Sequence, residues 1–218
     1  MLTTESVKEF AANLKEMQDM IQVLGQDCKE HYTATRNGDN QSQRRAYVRS
    51  VFAFIEGVGY RMKETARHFG ANAGTLSIEE LVALSELSFK INEKGEVVSE
   101  TIYPKFLNNF RFVFRTLSKS FGSTFTLDCG RSGWENLKVS IKVRDRLMHP
   151  KNVNDLEVTD AELEESKKAF DWFFLTHSLS SLYNQKAVHT KSNPTPEEIK
   201  ALDQKISDLE KNIASRGF

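Results

Sequence analysis

Several features that mark common classes of protein are scarce or absent in this sequence. Its two cysteines, Cys28 and Cys129, provide neither a disulfide framework nor the spacing of a metal site. It has no apolar run long enough to cross a membrane, and its first residues begin an amphipathic helix that contains charges, unlike a signal peptide. We therefore expect a cytoplasmic protein in a reducing compartment, with no membrane partner.

An excess of charge of one sign is also missing. The 30 lysines and arginines equal the 30 aspartates and glutamates, so the formal net charge is zero. Because the field of the whole molecule then does not attract nucleic acid, RNA binding would depend on local basic strips. The sequence has no His-Glu-x-x-His pattern and no phosphate-binding loop, and Gly57 and Gly59 lie in a helical pattern that favours close helix packing. We predict neither a metal site nor a cofactor.

What the sequence does have is helical periodicity. Its 218 residues, 39% hydrophobic and 28% charged, suit one globular domain with accessories, and 15 phenylalanines predict an aromatic core. Apolar spacing predicts helices at about residues 4–31, 41–69, 77–88, 103–121 and 132–148, and a long helix from Thr159 that packs His177 into the core. A polar turn is expected at residues 36–40, and residues 91–99, which turn at Gly95, are interpreted as a small hairpin or an ordered loop. The predicted fold is an all-α, up-and-down helical bundle with at most one small β-hairpin insertion.

Residues 191–218 are predicted to be an accessory to a helical bundle that spans residues 1–190. Residues 191–194 are interpreted as a linker, after which Thr195, Pro196 and Glu198 begin an amphipathic helix. The apolar seam of this helix consists of Ile199, Leu202, Ile206, Leu209 and Ile213. Because a lone helix would expose this seam to water, we expect it to pack on the bundle, where the N-terminal helix is one candidate mate, or on a second subunit.

The segment from Arg144 to Pro150, Arg-Asp-Arg-Leu-Met-His-Pro, is the most informative part of the chain. Ser132 and Glu135 predict a capping box at the start of its helix, and Pro150 ends the helix. Apolar residues form two stripes on opposite sides, which predicts burial of two faces. One stripe contains Trp134, Leu137, Ile141 and Met148, and the other contains Val139, Val143 and Leu147.

Arg144, Asp145 and His149 are predicted to share one cleft. Asp145 falls in the middle of the first stripe and Arg144 at its edge, where a charge is costly unless it is paired or reaches water. His149 follows Asp145 by four residues, and its position before a proline lets the ring turn toward Arg144. The alternative is that these side chains only satisfy the last carbonyls and the dipole of the helix.

With Arg144 and His149 separated by four residues, the segment resembles the Arg-x4-6-His motif of the HEPN superfamily. Trp134 at the start of the helix, the apolar run into the arginine, Pro150 after the histidine and an aromatic final helix are also similar to that family. The resemblance covers helix order over residues 1–190 and the motif itself over residues 131–151. Asp145 stands where the commonest residue of the family is asparagine.

The resemblance implies a helical homodimer with two copies of the motif across a shared groove, and in many members RNA cleavage without a metal. Arg144 and His149 would then be the active pair, in a metal-independent endoribonuclease of toxin or host-defence type with an antitoxin or regulatory protein as a possible partner. Other members are inactive. The alternative function is therefore a non-catalytic helical module that binds nucleic acid, a nucleotide or a protein partner.

The residue types suit this chemistry independently of the family. A histidine can accept and then donate a proton at neutral pH, so His149 is the predicted acid and base for attack by a ribose 2′-hydroxyl. Arg144 would stabilise charge on the phosphate, and Asp145 would orient the imidazole or hold Arg144. Glu56 could reach the cleft as an acid or a partner for Arg144, although a glutamate beside an apolar stripe is more often a boundary residue.

Basic residues outside the active pair are candidates for the RNA backbone. Arg111, Arg115 and Lys119 recur at four-residue steps on the flank of an aromatic helix, and Arg146 lies within the motif on another face. The alternative for each is a solvated charge or the partner of an acidic residue. A second basic cluster, Arg44, Arg45 and Arg49, is interpreted only as the start of a surface helix.

Overall fold

The computed structural model describes residues 4–36, 40–192 and 194–218, with the backbone alone for residues 4–11. The centre of the predicted polar turn and Asn193 of the predicted linker lie outside these residues. Over the described ranges the chain is an all-α bundle with one small hairpin, which confirms the predicted fold class. The elements are α1 Thr4–Thr35, α2 Gln41–Ala73, α3 Ile78–Leu84, β1 Leu87–Ile91, β2 Val97–Thr101, α4 Phe106–Phe121, α5 Ser132–Met148, a 3-10 turn Val153–Leu156, α6 Asp160–Thr190 and α7 Pro196–Ser215.

The bundle is built around α2. The Asn40 side chain caps its start by accepting hydrogen bonds from the backbone N–H groups of Ser42 and Gln43, and Gly74 ends it with a φ of 65°. Helices α1, α4, α5 and α6 all pack against it. The predicted apolar side of α2 is buried, which places in the core Val48, Val51, Phe52, Ile55 and Met62.

The core is aromatic, as predicted. The Phe110 ring of α4 lies with its centroid 6.0 Å from that of Trp134 on α5, and 6.0 and 5.6 Å from those of Trp172 and Phe173 on α6. Aromatic ring pairs bury large apolar surfaces and also prefer particular relative orientations. Phe110 therefore fixes where three helices meet, and α5 is the helix that carries the motif.

The hairpin connects α3 to α4. Strands β1 and β2 pair antiparallel with Leu87 opposite Thr101 and Ile91 opposite Val97, and Gly95 adopts a φ of 76° in the turn. The hairpin confirms the predicted β-segment but begins four residues earlier than expected. At its base, the ammonium of Lys63 on α2 binds Glu86 at 2.7 Å, which attaches the hairpin to the bundle.

Helix α7 packs on α6 of its own chain. Thr195 forms a capping box with Glu198 at its start, and Ile206 is its most deeply buried residue. The Tyr183 hydroxyl of α6 donates a hydrogen bond of 2.8 Å to Glu210, and Phe218 at the end of the chain is buried against the bundle. Among the described residues, none of the helices is both long and apolar enough to span a bilayer.

Candidate active site

Helix α5 is positioned by its close packing against α6 and by a bond to the C-terminal residues. The predicted capping box is not formed. Its N-cap is Arg131, and Ser132 is the first helical residue. The Ser132 hydroxyl donates instead to the carbonyl of Gly217, so the capping-box prediction is wrong and this end of α5 is attached to the C-terminus. A Cβ on Gly133 would lie 2.1 Å from Cδ1 of Trp172, which shows how closely α5 approaches α6.

The helix buries one face, not two. Trp134, Leu137, Val143 and Leu147 are buried together with the small or polar Gly133, Asn136 and Ser140. Two members of the predicted stripes are exposed, Val139 at 42% and Met148 at 54%. The prediction of two buried faces used only the spacing of apolar residues. The buried face also contains Gly133, Asn136 and Ser140, which apolar spacing does not detect. Asp145 therefore lies toward solvent rather than in the middle of a buried stripe.

Arg144 is held in a fixed position by charge and by aromatic rings. Its Nη2 lies 2.9 Å from Oε1 of Glu56 on α2, and its Nε lies 3.4 Å from Oδ1 of Asp145 without forming a hydrogen bond. Its guanidinium carbon lies 5.1 and 5.5 Å from the ring centroids of Phe52 and Phe106. The contact with Glu56 confirms the partnership that the sequence raised as one possibility, although the Glu56 carboxylate remains half exposed.

Arg144 and Asp145 line a cavity of about 570 Å³ between α2, α4 and α5. Lys63 and Glu86 lie on its wall as an ion pair, so three acidic groups in the wall outnumber two cations. Two buried polar atoms on its lining residues lack a hydrogen-bond partner, Arg144 Nε and Asn109 Oδ1. An unpartnered buried donor or acceptor is destabilising, so a group that pairs with these atoms would be stabilised here.

His149 lies outside this cavity. It follows the last turn of α5, where its backbone N–H donates to the Asp145 carbonyl at 3.0 Å. Its side chain is exposed, and within the described part of the chain the imidazole has no hydrogen bond or ion pair. The predicted cleft therefore contains Arg144 and Asp145 but not His149, and the imidazole is available to solvent instead of capping the helix.

The end of α5 and the segment that follows His149 are bound to α2 by three arginine side chains. The sequence predicts for these arginines only the start of a surface helix. Arg49 donates to the last buried carbonyl of α5, that of Leu147, at 3.4 Å, and Arg45 donates to the carbonyl of Leu156 at 3.1 Å. Arg44 binds the Val158 carbonyl at 3.0 Å and Asp160 at 2.6 Å. We call Arg44, Arg45 and Arg49 the α2 clamp. The signal that could have revealed it is the concentration of three arginines within two turns at the start of a helix whose apolar side is buried.

Arg146 completes the same attachment from α5. Its guanidinium donates to the carbonyls of Asp155 and Glu157 at 3.1 and 2.6 Å and binds both carboxylate oxygens of Glu162 at 2.9 and 3.1 Å. Bonds from Arg146 and from the N-cap Thr159 lower the pKa of Glu162, outweighing the desolvation that acts in the opposite direction. Arg146 is thus engaged within the chain, and its predicted contact with RNA would require these bonds to be exchanged.

The basic strip on α4 is divided among different partners. Arg111 lies over the Trp134 ring at 4.6 Å, and Lys119 binds Glu80 at 2.6 Å. Arg115 is exposed and makes no hydrogen bond or ion pair with any described residue. Because Trp134 and His149 are fifteen residues apart, Arg111 lies about 22 Å along α5 from the motif histidine. The structure does not gather the strip and the motif into one site.

Comparison with family models, curated proteins and solved structures finds no match. The described residues also contain no group of three or more His, Cys, Asp or Glu side chains that could hold a metal ion.

Arg146→Ala is expected to lower the free energy of unfolding by about 2 kcal/mol, because it removes the charge-assisted bonds to Glu162 and the donor to the carbonyls of Asp155 and Glu157. Urea denaturation measures the change. Arg115→Ala is the matched control, since it removes an exposed arginine without such bonds and should change stability by less than about 0.5 kcal/mol. Equal stability of the two variants would contradict the structural role of Arg146.

Proposed function

We propose that this chain is a metal-independent endoribonuclease of toxin or host-defence type, in which Arg144 and His149 form the active pair. The observation that carries the proposal is the exposed imidazole of His149, which has no partner among the described residues and directly follows a helix end that the α2 clamp and Arg146 hold in place. The resemblance of residues 144–150 to the HEPN motif supports the same assignment.

The reaction follows from the groups available. His149 accepts the proton of a ribose 2′-hydroxyl as its oxygen attacks the adjacent phosphorus, and the P–O5′ bond breaks. The proton is then delivered to the departing 5′-oxygen. The products are a 2′,3′-cyclic phosphate and a 5′-hydroxyl. Arg144, held by Glu56 through Nη2, offers the rest of its guanidinium to the phosphate oxygens as negative charge accumulates.

A second copy of the chain would complete the groove. Within one chain Arg144 faces a cavity that His149 does not line, so the pair requires either a local rearrangement or a neighbouring protomer that supplies the other residue. Met148, immediately before His149, exposes 54% of its side chain and offers an apolar contact at that position. We propose a homodimer whose two motifs face one groove.

The test uses wild-type protein with a mixture of structured and single-stranded RNAs in excess chelator, with cleavage and RNA affinity measured on the same preparation. The proposal predicts cleavage that is unchanged by the chelator. RNA binding without any cleavage would overturn the proposal of catalysis and support the second candidate. The absence of both would contradict the ribonuclease and any module that binds RNA.

The second candidate is a non-catalytic module that binds a nucleotide, nucleic acid or a protein partner. The specific observation that favours it is the cavity beside Arg144, where Asn109 Oδ1 and Arg144 Nε are unpartnered and aromatic residues, Tyr60, Tyr103 and Phe106, line the wall. Aromatic faces and a free amide oxygen suit a base. In this case His149→Ala would leave RNA affinity unchanged and no cleavage would be observed for either protein.

A further inference from the structure

A second cavity, of about 560 Å³, lies on another side of the bundle between α1, α2, α4, α6 and α7. Its volume is within the range of small-molecule sites in proteins. Most of its deeper wall is apolar and is formed by Leu14, Met17, Met62, Leu117 and Phe121. None of these residues belongs to the candidate active site apart from Met62, which lies between the two cavities.

The apolar wall is interrupted by three polar residues whose hydrogen-bonding capacity is unused. Thr65, Ser180 and Asn184 are 3%, 1% and 7% exposed. Their Oγ1, Oγ and Oδ1 atoms are shielded from solvent and have no hydrogen-bond partner. The two hydroxyls and the amide oxygen belong to residues that line the same cavity, and this concentration is unusual because buried polar atoms in native proteins are nearly always paired.

Among the residues that the structure describes, those that line the interior of this cavity are uncharged. Burial lowers the pKa of His177 to about 4, so its imidazole is neutral at physiological pH and offers one donor and one acceptor. The ionised residues of the lining, Glu198 and Lys205, are on the exposed side formed by α7. A charged group in the interior would lose its hydration without gaining an opposite charge.

The cavity is elongated along α6, and its polar residues are unevenly distributed over that length. Its residues on α6 run from His177 to His189, which corresponds to about 18 Å of helix. Ser180 lies near the His177 end of this stretch, Asn184 lies near its middle, and Glu198 of the charged rim contacts His189 at the other end. An elongated ligand whose polar group lies between Ser180 and Asn184 matches this order.

We infer that this cavity is a binding site for an uncharged, elongated and mainly apolar small molecule that carries a hydroxyl or amide donor at one end. The donor pairs with Asn184 Oδ1, and the ligand's polar atom accepts from the hydroxyl of Thr65 or Ser180 after rotation of that side chain. The remaining atoms of the ligand fill the apolar section. The inference is independent of RNA cleavage, because neither Arg144 nor His149 lines this cavity.

The test compares two probes that differ in one donor, 4-hexylphenol and 4-hexylanisole, by calorimetric titration of the full chain. Saturable binding of the phenol with one site, about tenfold tighter than the anisole, is expected, because the anisole leaves Asn184 Oδ1 unpaired. Titration of ¹⁵N-labelled protein should shift the Asn184 side-chain amide. This measurement needs no variant and locates the probe.

Asn184→Leu preserves the approximate size of the side chain and removes the acceptor. It is expected to reduce the preference for the phenol to less than about twofold, and to raise the melting temperature of the free protein by removing an unpaired buried group. Asn108→Leu makes the same change on the exposed surface of α4 and should leave both affinities unchanged. Equal affinity of wild type for the two probes, or saturation by neither, would overturn the inference and leave bound water as the partner of these atoms.

Discussion

His149→Ala is expected to leave the bundle folded while lowering the rate of RNA cleavage by at least about a hundredfold. The loss follows from the usual contribution of a positioned acid or base, about 10²–10⁴ in rate. The fold should be unaffected because the imidazole is exposed and makes no bond with described residues, whereas the helix-ending hydrogen bond uses the backbone N–H and survives the substitution. Single-turnover kinetics and thermal denaturation on one preparation measure both effects.

The matched control is His31→Ala, which removes a partly exposed histidine on α1 that does not belong to the motif. It should cleave RNA at the wild-type rate. If His149→Ala retained full activity, the imidazole would not be the proton acceptor. If it unfolded the protein, the account of His149 as a residue without structural partners would be wrong.

Gly133→Ala is expected to lower the free energy of unfolding by about 2–3 kcal/mol, although alanine is the better helix former by up to about 1 kcal/mol. The added Cβ would lie 2.1 Å from Trp172 Cδ1 and 2.3 Å from its Cγ. The Trp172 ring cannot move aside easily, because it is 3% exposed and packs against the rings of both Phe110 and Trp134. Packing therefore outweighs helix propensity at this position.

Gly59→Ala is expected to change the free energy of unfolding in the opposite direction. Gly59 also lies inside a helix, but a Cβ there would meet no atom within 4 Å, so the substitution should stabilise the protein by about 0.5–1 kcal/mol. Urea denaturation of the two variants shows directly whether each substitution raises or lowers the free energy of unfolding. Stabilisation by Gly133→Ala would contradict the close contact between α5 and α6 that positions the motif.

The fold could be predicted because local signals agreed with one another. Capping boxes at Ser77, Thr159 and Thr195 are all present in the structure, and the apolar side of α2 is buried as its spacing indicates. The paired glycines of α2 were interpreted as a sign of close packing. That is correct for Gly57, where a Cβ would lie 2.7 Å from Met20, and incorrect for Gly59.

The candidate site was predicted less well because it depends on contacts between distant segments. Ser132 has a capping-box spacing, but the C-terminus supplies a competing partner in the Gly217 carbonyl. The contact of Arg144 with Glu56 spans residues far apart in sequence, and the alternatives for Glu56 could not be separated by periodicity. The α2 clamp binds backbone carbonyls, which are present at every residue and leave no pattern in a sequence.

The most direct test of the proposed chemistry is the identity of the RNA ends produced in excess chelator by wild type, His149→Ala and Arg144→Ala acting on one end-labelled RNA. The account predicts 2′,3′-cyclic phosphate and 5′-hydroxyl ends from wild type and neither product from the two variants. Cyclic-phosphate ends that persist in His149→Ala or Arg144→Ala, or wild-type products with 5′-phosphate ends, would contradict an Arg144 and His149 ribonuclease.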